Sequence, residues 1–267
     1  MPETRPLTPL RVGVLGFGAI GRVVAGTLAA GAVPGAVLSG VATRSTPVET
    51  VAHLDLDDLL AASDLIVEAA GQPAVRTLAE PILASGADLL LVSVGALADA
   101  QLRGRLRSVR PGRLFYSTGA VGGLDLLAAA GTAAAFTQVR LTTTKQPGPL
   151  VQPWMDDATV EALRTATAPL ELYRGPAHDV AQRFPASTNV AAAVALACDD
   201  WDLEVVVRAD PDAPRTRHVI EADGPFGTYR FEVGNVPDTA NPATSKVVPQ
   251  AVLRGVATLA GGGNRLL

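Results

Sequence analysis

The chain has 267 residues, of which 48% are hydrophobic and 18% are charged, enough for one large or two modest domains with an extensive core. Its net charge of −4 gives no support for nucleic-acid binding, which usually requires a basic patch. Cys198 is the only cysteine, so an internal disulfide is impossible and a reducing, cytoplasmic location is expected. We expect neither a signal peptide nor a membrane span, because no apolar run is long enough.

The first half of the chain alternates between strand-like and helix-like segments. Helices are predicted at 17–31 and 72–86, and a further short one precedes the third strand. The predicted strands are residues 11–16, 36–45, 65–69, 87–97 and 112–121. This alternation predicts an α/β domain, a doubly wound parallel sheet of the Rossmann type with helices on both faces.

The pattern changes after about residue 135. A strand is predicted at 136–146, and helices at 157–167, with Asp156 or Asp157 as the cap, and at 185–198. Three closely spaced strands follow, at 203–209, 216–223 and 227–234. The "DGPFG" turn between the last two predicts a hairpin, and the close spacing predicts an antiparallel meander.

The last segment, 241–262, is predicted to be a helix that starts at Asn241–Pro242 and bends at Pro249. We therefore assign residues 1–121, with the C-terminal helix 241–267, to a Rossmann-type domain. Residues 122–240 are assigned to an α+β domain with an antiparallel sheet, which is expected to serve dimerisation. Because such a sheet can pair with that of a second copy, a homodimer is expected.

The sequence "GFGAIG" places glycines at Gly16, Gly18 and Gly21 between a predicted strand and a predicted helix. Gly16 allows a tight turn, Gly18 lets the backbone approach a pyrophosphate, and Gly21 allows the helix to pack closely on the strand. The free N–H groups at the start of the helix, around Ala19 and Ile20, then suit the phosphates. This context predicts binding of NAD or NADP rather than a glycine-rich turn of another kind.

The second strand lacks the acidic residue that usually grips the ribose hydroxyls of NAD. In its place stand Thr43, Arg44 and Ser45. Arg44 either faces the 2′-phosphate of NADP or points into solvent. The first interpretation predicts that NADP is accepted.

Three histidines are present, and His218 lies in a predicted strand. Side chains alternate along a strand, so His218 shares the more apolar face with Ile220 and Ala222. Partial burial there favours a neutral imidazole, which suits a general base. On the strand pattern alone, a structural histidine packed in the sheet is the stronger interpretation. His178, in a polar loop or at a helix start, is interpreted as surface or cap material, and His53, in the poorly defined region after the second strand, is given no functional role.

Five stretches together carry a family resemblance. They are "GFGAIG" (16–21), "STGAVGGLD" (117–125), "RFPASTNVAAAVALA" (183–197), "RHVIEADGPFG" (217–227) and "NPATSK" (241–246). The chain resembles the L-aspartate dehydrogenase family, over nearly its whole length. The resemblance implies a Rossmann domain followed by an α/β domain, and NAD(P)-dependent oxidation of L-aspartate to iminoaspartate or the reverse amination of oxaloacetate.

The resemblance also implies roles for particular residues. It places substrate binding and catalysis in the domain of residues 122–240, with the catalytic acid/base on His218, and it places contacts to the nicotinamide cofactor on Ala120 and Asn189. The stretch "TTTKQP" (142–147) departs from the family's "TTRKPP"-like segment, which bears on any substrate role of Lys145. No metal ion is implied.

A dicarboxylic amino acid substrate needs cations or N–H donors. Lys145 could supply a charge or be a solvated strand end. Thr244 and Ser245, with Lys246, could bind an anion at the start of the last helix or form ordinary helix-terminal contacts. Glu68, at the end of the third strand, is interpreted as structural.

Two other readings stay open at this point. One is a related reductase of the homoserine dehydrogenase or dihydrodipicolinate reductase type, which shares the two-part organisation. The other is a non-enzymatic, dinucleotide-binding redox sensor whose second domain serves dimerisation. A sensor would need no general base, so the role of His218 distinguishes it from an enzyme.

Overall fold

The structure is a computed structural model that describes residues 8–44, 51–185 and 189–261. The chain divides into two compact units. Unit 1 comprises Met1–Ser93, Gly104–Ser117 and Pro249–Leu267, and unit 2 comprises Val94–Arg103 and Thr118–Val248. Within the described ranges, no helix has the length and apolar character needed to cross a membrane.

Unit 1 is built on a parallel sheet of five strands. They are β1 (Leu10–Leu15), β2 (Ala36–Ala42), β3 (Leu65–Glu68), β4 (Asp88–Leu91) and β5 (Leu114–Tyr116), in the spatial order β2-β1-β3-β4-β5. Each strand is a short apolar run, as expected for a sheet that is buried on both faces. The doubly wound arrangement predicted from the sequence is confirmed.

The strand order of unit 1 reverses at β1, because β2 lies on one side of it and β3 on the other. Ligands of open α/β sheets bind outside the carboxyl ends of the strands at such a point. The helices of this unit are α1 (Ala19–Ala29), α2 (Leu56–Ala62), α3 (Gln72–Ser85) and α9 (Val248–Leu259), and α4 (Ala100–Ser108) ends in it.

Two predictions for unit 1 were inaccurate in extent. The fifth strand was predicted to span 112–121, but β5 has only three residues, because the following "STGAV" segment turns at Gly119, whose φ is +63°. The fourth strand ends at Leu91, and residues Val94–Ala98 form a 3₁₀ turn. Helix α4 was not predicted, since its many arginines give it little apolar periodicity.

Unit 2 contains a mixed sheet of five strands. They are β6 (Gln138–Lys145), β7 (Leu170–Pro176), β8 (Glu204–Ala209), β9 (Thr216–Gly224) and β10 (Gly227–Asn235), in the order β10-β9-β6-β8-β7. All neighbouring pairs are antiparallel except β6 and β8, which are parallel. The hairpin of β9 and β10 is confirmed.

The predicted meander of the three late strands is wrong, because β6 lies between β8 and β9 and pairs with both. The hairpin was readable because its turn is local. The insertion of β6 depends on pairing with residues about 80 positions away in sequence (for example Thr143 with His218), for which no local pattern exists.

The helices of unit 2 are α5 (Leu124–Ala133), α6 (Asp157–Thr165), α7 (Ala177–Arg183) and α8 (Asn189–Cys198). Helix α6 agrees with the prediction, and its cap is Asp156, whose side chain accepts a hydrogen bond from the Thr159 N–H at 2.7 Å. Helix α8 begins later than the predicted residue 185. Strand β7 and helices α5 and α7 were not predicted.

The prediction for the last helix is wrong at its start. Residues 241–247 are not helical, and α9 begins at Val248. Asn241 caps a local turn instead, since its side-chain oxygen accepts a hydrogen bond from the Ala243 N–H at 3.3 Å. Pro249 therefore stands in the first turn of the helix, where proline is tolerated, and causes no bend.

Candidate active site residues in the two units

Unit 1 has an open cavity of about 800 Å³ at the carboxyl ends of β1, β2 and β3. Its volume lies in the range of sites for small molecules and cofactors. The lining comes from the glycine-rich turn, from the residues after β2 and β3, and from the starts of α2 and α3: Leu15, Gly16, Phe17, Gly18, Ala42, Thr43, Arg44, His53, Leu54, Asp55, Leu56, Ala69, Ala70, Ala74 and Leu78. The cavity thus lies at the strand-order reversal.

The three glycines of the turn differ in what surrounds them. Gly16 has a φ of +97°, and a Cβ there would lie 2.5 Å from the Ala69 carbonyl oxygen. A Cβ at Gly21 would lie 2.1 Å from the Gly16 carbonyl oxygen, so α1 packs against the turn without room for a side chain. A Cβ at Gly18 would meet no atom within 4 Å. The backbone at Gly18 is therefore open toward the cavity, which fits a diphosphate.

Ala19 and Ile20 are the first residues of α1, which begins directly after Gly18. The helix has no acidic residue in its first turn and no side-chain cap. The N–H groups at this end are therefore suited to an anionic ligand, because the positive end of the helix dipole is not offset by a carboxylate.

Arg44 lies two residues after β2, is exposed, and lines the cavity together with Thr43 and His53. His53 forms an isolated parallel bridge with Val41, and its Nε2 lies 3.3 Å from the Thr43 carbonyl oxygen. Ser45 falls outside the described residues. The end of β2 thus presents a cation to the cavity, and Asp55, which also lines it, caps α2 by accepting a hydrogen bond from the Asp58 N–H at 2.9 Å.

Glu68 is buried at the end of β3, where its carboxylate joins two turns of unit 1. It accepts hydrogen bonds from the N–H groups of Ala70 (2.8 Å) and Gly71 (2.9 Å), and from both the N–H and the hydroxyl of Ser93 (2.9 Å each). Burial raises its pKa, and these four bonds act against that rise. The contacts agree with the structural interpretation, since the carboxylate fixes the turns after β3 and β4.

His218 lies on β9 in unit 2 with only 2% of its surface exposed. Ile220 and Ala222 on the same face are also buried, as the alternation predicted. The residue directly opposite on β6 is Thr143, whose Oγ1 lies 3.0 Å from the His218 Nδ1. The burial is thus deeper than the partial burial expected from the sequence.

The imidazole of His218 is neutral near neutral pH. Burial, as the larger cause, and the positive charge of Lys145 together lower its pKa to about 3. A neutral ring can accept a proton, which a general base requires. The contact with Thr143 is made through Nδ1, and Nε2 is the other ring nitrogen.

Lys145 is the last residue of β6 and is only 4% exposed. It shares the buried face of β6 with Thr143, because side chains two residues apart point the same way. Its Nζ donates a hydrogen bond to the Ala243 carbonyl oxygen at 3.0 Å. Burial lowers its pKa to about 8, so Lys145 is not a solvated strand end.

Thr244 and Ser245 precede α9 rather than forming its first turn, so their predicted position at a helix start is wrong, and their anion-binding role stays a prediction. Ser245 is buried and forms an isolated bridge with Pro237. The Thr244 hydroxyl accepts a hydrogen bond from the Asn241 side chain at 3.3 Å. The segment nevertheless lies beside Lys145, through the contact at Ala243.

Asn189 and Ala120 are held by contacts within unit 2. Asn189 is the first residue of α8, and its side-chain oxygen accepts a hydrogen bond from the Gly95 N–H at 3.1 Å. The Ala120 carbonyl accepts one from the Asn235 side chain at 2.7 Å. Ala120 lies in the turn after β5 rather than at the end of a longer strand. These contacts leave the cofactor roles of both residues as predictions.

The third histidine, His178, lies away from both of these sets of residues in sequence and has its own contacts. His178 is half-exposed in α7, and its Nδ1 lies 3.1 Å from the Trp201 carbonyl oxygen and 3.3 Å from the Asp202 carboxylate.

Among the residues that the structure describes, no group of three or more histidine, cysteine or acidic side chains is arranged to hold a metal ion.

The sequence analysis missed two residues of the candidate sites, Thr143 beside His218 and His53 in the cavity lining. Thr143, opposite His218, sits in a run of three threonines, and only the strand register distinguishes it from its neighbours. His53 lines the cavity because the chain returns to β2 through the bridge with Val41, and no local pattern indicated that return. Knowledge that β6 pairs with β9 would have identified Thr143 as the residue opposite His218.

Comparisons with known proteins match both halves of the chain. The family model described as "Homoserine dehydrogenase, NAD binding domain" matches residues 16–112, and the model "Aspartate dehydrogenase, C-terminal" matches residues 125–259. An L-aspartate dehydrogenase of Methanothermobacter thermautotrophicus is 36% identical over 256 residues, covering 92% of this chain and 94% of the relative. An L-aspartate dehydrogenase 2 of Bordetella bronchiseptica is 38% identical, covering 91% and 94%.

Among solved structures, the aspartate dehydrogenase of Thermotoga maritima superposes with a TM-score of 0.74 at 22% identity, covering 97% of this chain and 98% of that one. A Rossmann unit with a nucleotide-sized cavity, followed by a mixed-sheet unit with a buried histidine, defines a dinucleotide-dependent oxidoreductase. The particular family is identified by the two L-aspartate dehydrogenases, because each match covers more than nine-tenths of both chains. The chain belongs to the aspartate dehydrogenase family.

Proposed function

We propose that this protein is an NAD(P)-dependent L-aspartate dehydrogenase, which oxidises L-aspartate to iminoaspartate and then oxaloacetate with release of ammonia, or catalyses the reverse amination. The observation that carries the proposal is the buried, neutral His218 beside the buried cation of Lys145, in a chain whose near-full-length relatives are L-aspartate dehydrogenases. The homoserine dehydrogenase and dihydrodipicolinate reductase readings have less support, because the model for residues 125–259 is that of aspartate dehydrogenase.

The cofactor site that we propose is the cavity of unit 1. Gly16, Gly18 and Gly21 would hold the diphosphate, with the first N–H groups of α1 at Ala19 and Ile20. Arg44 would face the 2′-phosphate of NADP. A carboxylate after β2 would repel this phosphate, but the chain has none at that position. Ala120 and Asn189 would contact the nicotinamide half. The nicotinamide supplies the hydride acceptor, or the hydride donor in amination.

His218 is the proton carrier in this proposal. The substrate amine must lose a proton before a hydride can leave Cα, and the neutral Nε2 of His218 accepts it. After that proton has left to solvent, the same nitrogen takes a proton from the water that attacks the imine carbon, and returns it to the departing amine. The two substrate carboxylates offset the charge of Lys145 near the ring, which raises the pKa of His218 toward the working range.

Lys145 would bind one substrate carboxylate, and Thr244 and Ser245, on the segment beside it, would add hydroxyl donors. A buried ammonium suits this role because its charge is poorly screened by water. Binding of the carboxylate also stabilises the charged form of Lys145 and raises its pKa above about 8. This arrangement selects for anionic, dicarboxylic amino acids.

We also propose that the protein works as a cytoplasmic homodimer. Strand β10 is at the edge of its sheet and is nine residues long. In a two-fold antiparallel pairing centred on Phe231, the middle residue of the strand, Arg230 of one copy lies opposite Glu232 of the other. This complementarity supports pairing at the β10 edge.

The test of the function is a spectrophotometric assay of purified protein with NAD or NADP and a panel of L- and D-amino acids. Reduced nicotinamide should form with L-aspartate. His218→Asn should lower turnover by about 10² or more, since general acid–base catalysis contributes at least this factor, while NADPH fluorescence shows unchanged cofactor binding. Signal only with another amino acid would overturn the substrate assignment. Full turnover by His218→Asn would overturn the role of the ring.

A further inference from the structure

Thr143 is the polar contact of His218 in the interior of unit 2. The two residues form a directly opposed pair in the register of β6 and β9, and their side chains meet at 3.0 Å between Oγ1 and Nδ1. Thr143 is 1% exposed and His218 is 2% exposed. Water therefore does not compete for this contact, and the hydroxyl is the partner that fixes the ring.

We propose that Thr143 is a positioning residue that holds the proton of the neutral His218 ring on Nδ1, so that Nε2 keeps the lone pair that takes the substrate proton. The proposal rests on the proposed function, because it assigns Nε2 as the reactive nitrogen. A hydroxyl oxygen accepts a hydrogen bond from Nδ1–H in both the neutral ring and the imidazolium. Thr143 therefore stays bonded while Nε2 gains and loses its proton.

The charges around the ring are consistent with this assignment. Lys145, on the same face of β6, is the charged side chain that acts on His218. The opposite, exposed face of the sheet carries Arg217, which precedes His218 on β9, and Glu232 on β10. Their side chains lie 3.5 Å from each other. Glu221 on β9 pairs with Arg230 on that face. Among the described residues, no carboxylate pairs with the ring, so the hydroxyl takes the orienting part that an aspartate plays in other acid–base sites.

The hydrogen bond from Nδ1–H to Thr143 is stronger when the ring is charged, because charge-assisted hydrogen bonds are stronger than neutral ones. Its loss therefore lowers the pKa of His218. The base form then persists to lower pH, and the acid form, which amination requires, becomes harder to populate.

The first experiment reads the ring directly and needs no substrate. The chain has three histidines, so ¹⁵N-labelled histidine gives few signals in a long-range ¹H–¹⁵N NMR spectrum, and the His218→Asn variant assigns that of His218. Wild-type protein should have the proton on Nδ1. In Thr143→Val, an isosteric change that removes the hydroxyl, the ring should become a mixture of tautomers. A wild-type proton on Nε2, or an unchanged tautomer in Thr143→Val, overturns the proposal whether or not L-aspartate is the substrate.

The second experiment is kinetic. Thr143→Val should lower kcat about ten- to a hundredfold, as expected when a buried hydrogen bond is lost, with KM for L-aspartate nearly unchanged and the acid limb of the pH profile moved to lower pH. Thr143→Ser, which keeps the hydroxyl, should restore most of the rate. Thr142→Val, whose side chain is on the opposite face of β6, is the matched control and should behave as wild type.

These outcomes separate positioning from packing. A residue that only stabilises the fold would lower the active fraction of the protein without moving the acid limb of the pH profile. Thr143→Ser would then have no shift of that limb to reverse. An unmoved limb in Thr143→Val overturns the proposal. Absence of turnover with L-aspartate in the wild type overturns the proposed function alone, since the NMR result still decides the state of the ring.

Discussion

At the scale of single residues, the buried face of β6 and β9 carries two titratable side chains, His218 and Lys145. His218 and Lys145 are both nearly inaccessible, and burial lowers the pKa of each. Each group is therefore closer to its neutral form than in water. Such a pair responds strongly to an entering anion, because the charge of the substrate offsets the cost of burying a cation.

The chain has two lysines, Lys145 and Lys246, which provide a matched pair of substitutions. Lys145→Met should raise KM for L-aspartate about ten- to a hundredfold, because a hydrogen bond to a charged group contributes about 1.5–3 kcal/mol. KM for NADP should stay unchanged. Lys246 is exposed, so Lys246→Met should leave both KM values at the wild-type level.

Steady-state kinetics with each substrate varied in turn measures this effect. Methionine fills the space of the buried stem, so thermal unfolding should show Lys145→Met as stable as wild type or more so. An unchanged KM for L-aspartate in a folded Lys145→Met variant would mean that the carboxylates bind elsewhere.

At the scale of elements, the sequence predicted what depends on local pattern. The βαβ alternation of unit 1 was readable because each strand is a short apolar run and each helix ends at a signal such as Gly31 or Gly86. The hairpin of β9 and β10 and the cap of α6 at Asp156 were readable for the same reason. The α/β fold class followed from these elements.

The parts that the sequence could not provide depend on long-range pairing. The insertion of β6 between β8 and β9 is one, and with it the contact between Thr143 and His218. The start of α9 is another, because Asn241–Pro242 resembles a helix start but its side chain is used by a local turn. The face of His218 was predicted correctly from alternation, whereas its partner required the register.

Two substitutions in the glycine-rich turn before α1 can separate the effect of a glycine on packing from its effect on ligand binding. Gly21→Ala places a Cβ 2.1 Å from the Gly16 carbonyl oxygen, so the free energy of unfolding without cofactor should fall by about 1–3 kcal/mol or more. Gly18→Ala meets no protein atom within 4 Å and should cost only the smaller penalty of alanine at a helix cap, about 1 kcal/mol.

Differential scanning fluorimetry with and without NADP distinguishes the two effects. Gly18→Ala should lose most of the Tm increase that NADP gives to wild type, because its methyl group occupies the approach to the diphosphate. Gly21→Ala should have a low Tm without NADP. If Gly18→Ala keeps the full NADP-dependent increase, the diphosphate does not pass over this part of the turn.

At the scale of the whole molecule, the edge of the sheet in unit 2 bears on assembly. An edge strand exposes unpaired N–H and C=O groups and is a template for pairing unless it is protected. On β10 the outward residues include Arg230 and Glu232, and the large exposed apolar residues Phe226 and Val236 flank its two ends. A two-fold pairing centred on Phe231 would bring these apolar side chains together and place opposite charges across the new strand pair.

Charge exchange on β10 tests this pairing. Arg230→Glu places like charges opposite each other at both symmetric positions and should weaken the dimer. The double variant Arg230→Glu/Glu232→Arg restores opposite charges and should recover part of the affinity, because the two-fold relation always joins position 230 to position 232. Multi-angle light scattering over a dilution series measures the mass of each variant, and circular dichroism controls for folding. A monomeric wild type at micromolar concentration, or a dimer that is equally stable in all three proteins, would show that the β10 edge does not hold two copies together.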